Sequence, residues 1–412
     1  MKRRFRRLPI LDFGQECVIK LLEKNNGAWR ENNTSLTDLE QKISSLHELC
    51  VIFAQAKQLK ECQECRPRLS KLFQISSSFW AKHCKRSNGY FRSEDSYEGD
   101  DISGYNAWCR FQVKQILPHP GPDGKPYTWL NINIITRWVP TGQNIIISFD
   151  TPTALKMHFP DPILDNVGED STHDPYWIHL RLLEELTAFH DESVWSIRDL
   201  VRDTETKRSK AKALGNSLQP PNPDYLHLHE VARHAGHSTE TLGVAVQTVE
   251  TMITQHNLFI KERNSTNSRS NMIRNQTRSR LYYYSQMLQG QKARSEANKE
   301  RLQNEITLAF NTVAQFDSGV SVQIGHAAQS DSAAMRTIAF LTLAFLPATF
   351  ICAVFSMTFF NFTPGGPEQA EKWSVSDKIW IYWVVAVPLT GITVTSWAIW
   401  QRYFPVKPIG AR

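Results

Sequence analysis

Two stretches late in the sequence contain no charged residue: Thr337 to Phe360, 24 residues, and Ile379 to Trp400, 22 residues. A helix needs roughly 20 apolar residues to cross a hydrocarbon layer about 30 Å thick, so each run is long enough. Lipid offers no water to backbone N–H and C=O groups, which favours helix in segments of this kind. The mean hydropathy of the whole chain, −0.39, conceals this segregation. A buried helical hairpin in a polar protein is the competing reading, and two charge-free runs of bilayer length in succession argue against it.

The flanks agree with two spans. Arg336 precedes the first run, Lys378 precedes the second, and Arg402, Lys407 and Arg412 follow it. Trp373, Trp380, Tyr382 and Trp383 gather at one end of the second run and Trp397, Trp400 and Tyr403 at the other, as rings do at two headgroup layers. The link carries Lys372 and Lys378 against Glu368, Glu371 and Asp377, whereas the tail is basic only. That bias predicts cytoplasmic N- and C-termini, with the plasma membrane favoured and an organelle membrane the alternative. No apolar segment of signal-peptide type follows MKRRFRRLPI, so no secretory leader is expected.

Ahead of the spans the chain is long enough for a sizeable core. Residues 107–116, 127–139 and 144–149 read as strands separated by turn-rich PHPGPDGKP and PTGQ, which predicts a small antiparallel sheet. SLTDLEQKISSLHELCVIFAQAKQLKEC reads mainly as helix, and a boundary is expected at ALGNSLQPPNPDY. Beyond it come a helix from Tyr225 to about Lys261 and a second beginning near Leu281, with no proline between Asp224 and Pro347. The predicted architecture is an α+β or α/β cytosolic domain (1–215), long antiparallel stalk helices (216–334), a C-terminal two-helix transmembrane hairpin (335–402) and a cytosolic tail (403–412). Arg301 to Phe360 as one helix would extend about 90 Å.

The formal net charge of +6 comes with no nucleic-acid reading module, so no nucleic-acid partner is expected. Seven cysteines at irregular spacing suit a reducing compartment better than a disulfide scaffold. Cys62, Cys65, His83 and Cys84 formally offer four zinc ligands, but the first pair falls in a helix-like run, and no zinc site is expected. His227, Glu230, His234 and His237 share a helical face, yet the histidines of HEVARH stand one residue too far apart for a metalloprotease motif, and a solvated face is expected. GxxxxGK[ST] and GxGxxG are absent from the sequence, so the chain reads as a non-enzyme without a cofactor.

Two helices enclose no lumen, so permeation needs several chains in a ring. Asp331, Met335, Ile338, Thr342, Leu346 and Thr349 recur at three or four residues along one helical face and form a candidate lining. Met335, Ile338 and Leu346 are apolar enough to gate. Ser356, Met357 and Thr358 at the outer end offer uncharged oxygens and carbonyls suited to a hydrated hard cation.

MRTIAFLTLAFLPATFICAVFSMTFFNF, a short link and WIYWVVAVPLTGITVTSWAIW together resemble the membrane hairpin of the CorA-like magnesium transporter superfamily, especially its divergent fungal members. The resemblance implies a homopentamer, a central path for Mg²⁺ or another divalent cation, and lipid as surroundings. The family's Gly-Met-Asn falls on Ser356, Met357 and Thr358, so Met357 is kept while the glycine and the amide are replaced. That departure leaves Zn²⁺, Ni²⁺ and Co²⁺ compatible with the site. The resemblance places lining positions on Met335, Ile338, Thr342, Leu346 and Thr349, and cytosolic cation sensing on Asp317 or Asp331. A membrane-tethered scaffold or regulatory subunit is the non-transport alternative.

Overall fold

The computed structural model describes residues 17–25, 28–42, 49–139, 143–164, 173–214, 220–263, 267–355, 359–367 and 370–403. The chain forms two compact units, Met1–Asn311 and Thr312–Arg412. In order, the first contains β1 (Val18–Asn25), β2 (Ala28–Ser35), α1 (Leu36–Lys42), β3 (Leu49–Ala54), α2 (Ala56–Glu61), α3 (Cys65–Leu72), α4 (Lys82–Arg86), β4 (Tyr90–Glu98), β5 (Asp101–Ile116), β6 (Tyr127–Trp138), β7 (Asn144–Phe149) and α5 (Thr153–His158). Then come α6 (Trp177–Leu214), α7 (Tyr225–Glu262) and α8 (Ser268–Phe355), the last supplying residues to both units. The second unit continues with β8 (Phe360–Thr363), β9 (Lys372–Val375) and α9 (Trp380–Tyr403).

Seven strands form one mixed sheet in the order β2-β1-β3-β7-β6-β5-β4. The three strands expected from sequence are β5, β6 and β7, paired antiparallel. The segment LCVIFA, expected within a helix, is instead β3, parallel to β7 at the centre of the sheet. Val51 and Phe53 enter one core while Cys50, Ile52 and Ala54 enter the other. A strand buried on both faces shows no polar alternation, so its period is invisible in sequence. One face of the sheet packs on α6 and α7, and the other on α1, α2, α3 and the Phe79–Trp80 turn.

The expected boundary near residue 215 separates helices that share one core: Leu182, Leu186 and Val194 of α6 cluster with Leu242, Val249 and Met252 of α7. Helix α7 runs antiparallel to α8, since Gln289 bonds Glu250, Ser295 bonds Thr239 and Phe310 stacks on Tyr225. Helix α8 starts at Ser268 rather than near Leu281, with the Asn267 carboxamide oxygen accepting from the Arg269 N–H at 2.9 Å. Residues 268–280, polar in sequence, are helical because Ser270, Arg274 and Thr277 are buried on one stripe that continues through Leu281, Leu288, Gln291, Ser295 and Asn298. The Gln291 and Asn298 amides donate to the Thr187 and Val194 carbonyls of α6, at 3.0 and 3.3 Å. Arg301 forks onto Glu205 at 3.0 and 2.7 Å. A polar group that leaves water must be bonded, so these contacts fix which face of α8 turns inward.

Further along α8, Leu302, Ile306 and Ala309 pack in a cluster with Val201, Leu228 and Val231. Val320 is exposed in the single chain.

Three histidines of the first unit are held neutral chiefly by burial: His179 is lowered to about 4, His190 to about 3 and His234 to about 4. Among the described residues His179 Nδ1, His190 Nε2 and His234 Nδ1 have no hydrogen-bond partner. In the unfolded chain each binds its proton near the usual histidine value, so the unfolded state takes up more protons below about 6.5. Their stabilisation is complete above that pH and is lost on acidification toward 4, at up to about 1.4 kcal/mol per pH unit per histidine. Urea unfolding of the detergent-solubilised chain between pH 7 and 4 tests this, and His190→Gln is expected to flatten the slope.

Candidate functional site

Helix α8 ends at Phe355 with Pro347 inside it, and α9 is a second helix of 24 residues. Both are long and apolar enough to cross a membrane; only 11% and 6% of their most apolar windows are buried. Phe340 packs on Trp397 of α9 with ring centroids 5.2 Å apart. Leu343, Ala344, Pro347, Ala348 and Ile351 share that face and are half-buried or buried.

The candidate lining lies on the other side. Asp331, Met335, Ile338, Thr342, Leu346 and Thr349 are all exposed. At roughly 100° per residue, the stripe from Met335 to Thr349 is centred about 170° from the α9-facing one. Thr342 donates its hydroxyl to Ile338 O at 2.9 Å, and Thr349 donates to Phe345 O and Leu346 O at 2.9 and 3.0 Å. Each proton is thus turned back onto the helix, leaving oxygen lone pairs as acceptors for incoming water. Asp317 is also exposed and falls on the phase of Asp331, since fourteen residues make about four turns. Ser356, Met357 and Thr358 lie outside the described residues, as does Glu368 of the link.

The link forms an antiparallel ribbon rather than a bare loop. Phe360 pairs with Val375 and Phe362 with Trp373, whose rings lie 4.8 Å apart. Glu371 and Asp377 beside it are exposed, as are Trp380, Trp383, Trp400 and Tyr403.

The histidine face on α7 is not solvated as expected. His234 is 3% exposed and packs on Tyr127, and His237 packs on Trp129. Between them Lys114 reaches His237 Nδ1 at 3.0 Å and lies 4.1 Å above the Tyr127 ring. Burial, with Arg233 nearby, pushes the Lys114 amine down to about 8. Lys114 thus joins the two histidines and the Tyr127 and Trp129 rings in one packed cluster.

Sequence reasoning missed two clusters. The run AKQLKECQECRPRLSKLF is not one helix: it breaks at Cys62, and α3 starts at Cys65. Cys62 and Cys65 form a disulfide, and Cys17 rather than His83 or Cys84 joins them. In addition, a cleft of about 630 Å³ opens over β5 and β6, walled by Trp80, Tyr90, Trp129 and Phe149. In it Arg110 donates to Ser87 O, Asn133 Oδ1 and Asn131 Oδ1. The only sequence signal was polar residues at alternate positions of β5 and β6.

No family model matches the chain. It is 29% identical over 293 residues, 69% of its length, to the Notoamide biosynthesis cluster protein M' of Aspergillus versicolor. The match spans 61% of that protein's own length. Similar solved structures include the full-length CmaX protein, at 14% identity over 95% of this chain and 99% of that one with a TM-score of 0.36. The soluble domain of CorA from Methanocaldococcus jannaschii is 11% identical over 71% of this chain and 97% of its own, with a TM-score of 0.38. The ZntB cytoplasmic domain from Vibrio parahaemolyticus RIMD 2210633 is 8% identical over 71% and 99%, with a TM-score of 0.39.

The opposed faces of α8 generate a direct expectation. In a Cys352→Ser background reconstituted in lipid, Thr349→Cys is expected to react with a small water-soluble thiosulfonate, and Ile351→Cys to be spared. Thiolate forms where water reaches; equal reactivity would show that the two faces share one environment.

Proposed function

We propose that the chain is one subunit of a homo-oligomeric, pentameric, channel-like transporter of divalent metal cations, with Mg²⁺ favoured. Zn²⁺, Ni²⁺ and Co²⁺ are the other candidate cargoes. Helices α8 and α9 cross the membrane, with both termini on the cytoplasmic side. The observation that carries the reading is the uncovered hydroxyl-bearing face of α8, opposite its contact with α9. In a ring of copies this face of each α8 turns toward the axis, and the remaining apolar surface meets lipid and neighbouring subunits.

The chemistry follows from the side chains. Mg²⁺ sheds its water reluctantly and is met best by oxygens that bond its hydration shell. Thr342 and Thr349 provide such acceptors along the path, while Ser356, Met357 and Thr358 receive the ion at the outer end. Met335, Ile338 and Leu346 form narrow apolar rings that block ions when dry and conduct when helix tilting wets them. Glu371 and Asp377, multiplied around a ring, raise the cation concentration at the mouth. Inward movement of a dication gains about 4.6 kcal/mol per 100 mV, negative inside, so no hydrolytic step is required.

Purified protein in liposomes with an imposed voltage and a divalent-sensitive dye tests the proposal. Wild type is expected to admit Mg²⁺. Leu346→Asp is expected to hydrate the apolar constriction and raise basal flux severalfold, and Thr349→Val to lower flux. Wild-type behaviour of both variants would refute the assigned path. Folded wild-type protein that passes none of the four cations would instead be a membrane-tethered scaffold.

A further inference from the structure

We propose that Cys17, Cys62 and Cys65 form a redox-gated binding site for a thiophilic cation of the Zn²⁺ class. This site is separate from the cation path proposed above and does not depend on it. The three sulfurs come from different parts of the chain: Cys17 directly precedes β1, Cys62 ends α2 and Cys65 opens α3. All lie within 4.8 Å of one another. A tetrahedral zinc–thiolate site places its sulfurs about 3.8 Å apart, given Zn–S bonds of about 2.3 Å. Side-chain rotation alone can therefore close the set around an ion once the disulfide has opened.

A backbone donor and two nearby cations complement sulfur that is already bound to a metal. The Cys65 N–H, in the first turn of α3, donates to Cys62 Sγ at 3.1 Å. A peptide N–H at a helix N-terminus stabilises negative sulfur. Cys17 is 6% exposed and Cys65 is 1% exposed, whereas Cys62 opens onto a cavity of about 440 Å³ also lined by Lys60 and Arg66. Three thiolates around a dication carry one net negative charge, which these two cations complement. Access through Cys62 also leaves the fourth coordination position to water. Soft sulfur ligands disfavour Mg²⁺ and select zinc-like or cuprous ions.

Here Cys62 and Cys65 are joined as a disulfide, which withholds two of the three ligands. Two equivalents of a small thiol reductant return both cysteines to thiols and leave as one disulfide. Binding of the dication then releases three protons as three metal–sulfur bonds form. A small disulfide as oxidant reverses this: Cys62 and Cys65 rejoin, the oxidant leaves as two thiols, Cys17 regains its proton, and the dication is released as three protons are taken up in all.

The test titrates the full-length protein in detergent with Cd²⁺, reading the sulfur-to-metal charge-transfer band, with Zn²⁺ as competitor. Reduced wild type is expected to bind one Cd²⁺ per chain at this site and to lose the band when Zn²⁺ is added. The oxidised protein is expected to show no band. Removing one of three sulfur ligands by Cys17→Ser should cut the band to about two thirds and weaken affinity at least about tenfold. Cys84→Ser, outside the cluster, should match wild type, and far-UV circular dichroism reports folding. A band equally strong in oxidised wild type, a Cys17→Ser protein that titrates as wild type, or no band at all would overturn the proposal. Such an outcome alongside intact Mg²⁺ flux in liposomes removes this site alone.

Discussion

The constraint on which the rest depends is apolar length without cover. Met335, Ile338, Phe345, Leu346, Phe350 and Val354 on α8 and Trp383, Val387 and Ile392 on α9 are all exposed in a single chain. Contact between the two helices shields one stripe of each and leaves the larger part of both surfaces open. Surface of this extent is unfavourable in water, at roughly 25 cal/mol per Å². Under the function proposed above, lipid covers some of these faces and further copies cover others, so one constraint motivates both the membrane and the ring.

The first unit solves a different problem. Its α8 segment is polar by composition, and it docks through bonded polar groups interleaved with a few leucines. Gln291, Asn298 and Arg301 each reach α6, while Leu281, Leu288 and Leu302 fill the spaces between. An interface of this kind is specific in register, because sliding the helix would strand several buried donors at once. The same economy holds at Asp174 and His256, which pair at 2.8 Å with no exposure. Asp174 Oδ1 also accepts the Tyr176 N–H at 2.9 Å, tying the entrance of α6 to α7.

The shared face of the candidate lining was legible in the sequence because helix phase is a local property. The spacing of Met335, Ile338, Thr342, Leu346 and Thr349 assigns them to one face, and the folded helix keeps them there. What spacing could not supply was the side on which α9 packs, which leaves that face open. The cysteines show the reverse case: Cys62 and Cys65 are neighbours by sequence, but Cys17 is forty-five residues before Cys62 and joins them through the fold. Lys114 likewise arrives between His234 and His237 from a strand, converting an expected solvated patch into an occupied one.

The sequence by itself determined the two charge-free helices, their flanking aromatic and basic residues, and the long proline-free run that leads into the first. These depend on composition and 3.6-residue periodicity, which a helix expresses without help from distant residues. Tertiary structure alone decided that LCVIFA is a strand, that a polar run is the buried start of α8, and that three cysteines meet. In each case the deciding free energy comes from partners far apart in the chain: the parallel neighbour β7, the carbonyls of α6, or a thiol at the start of β1.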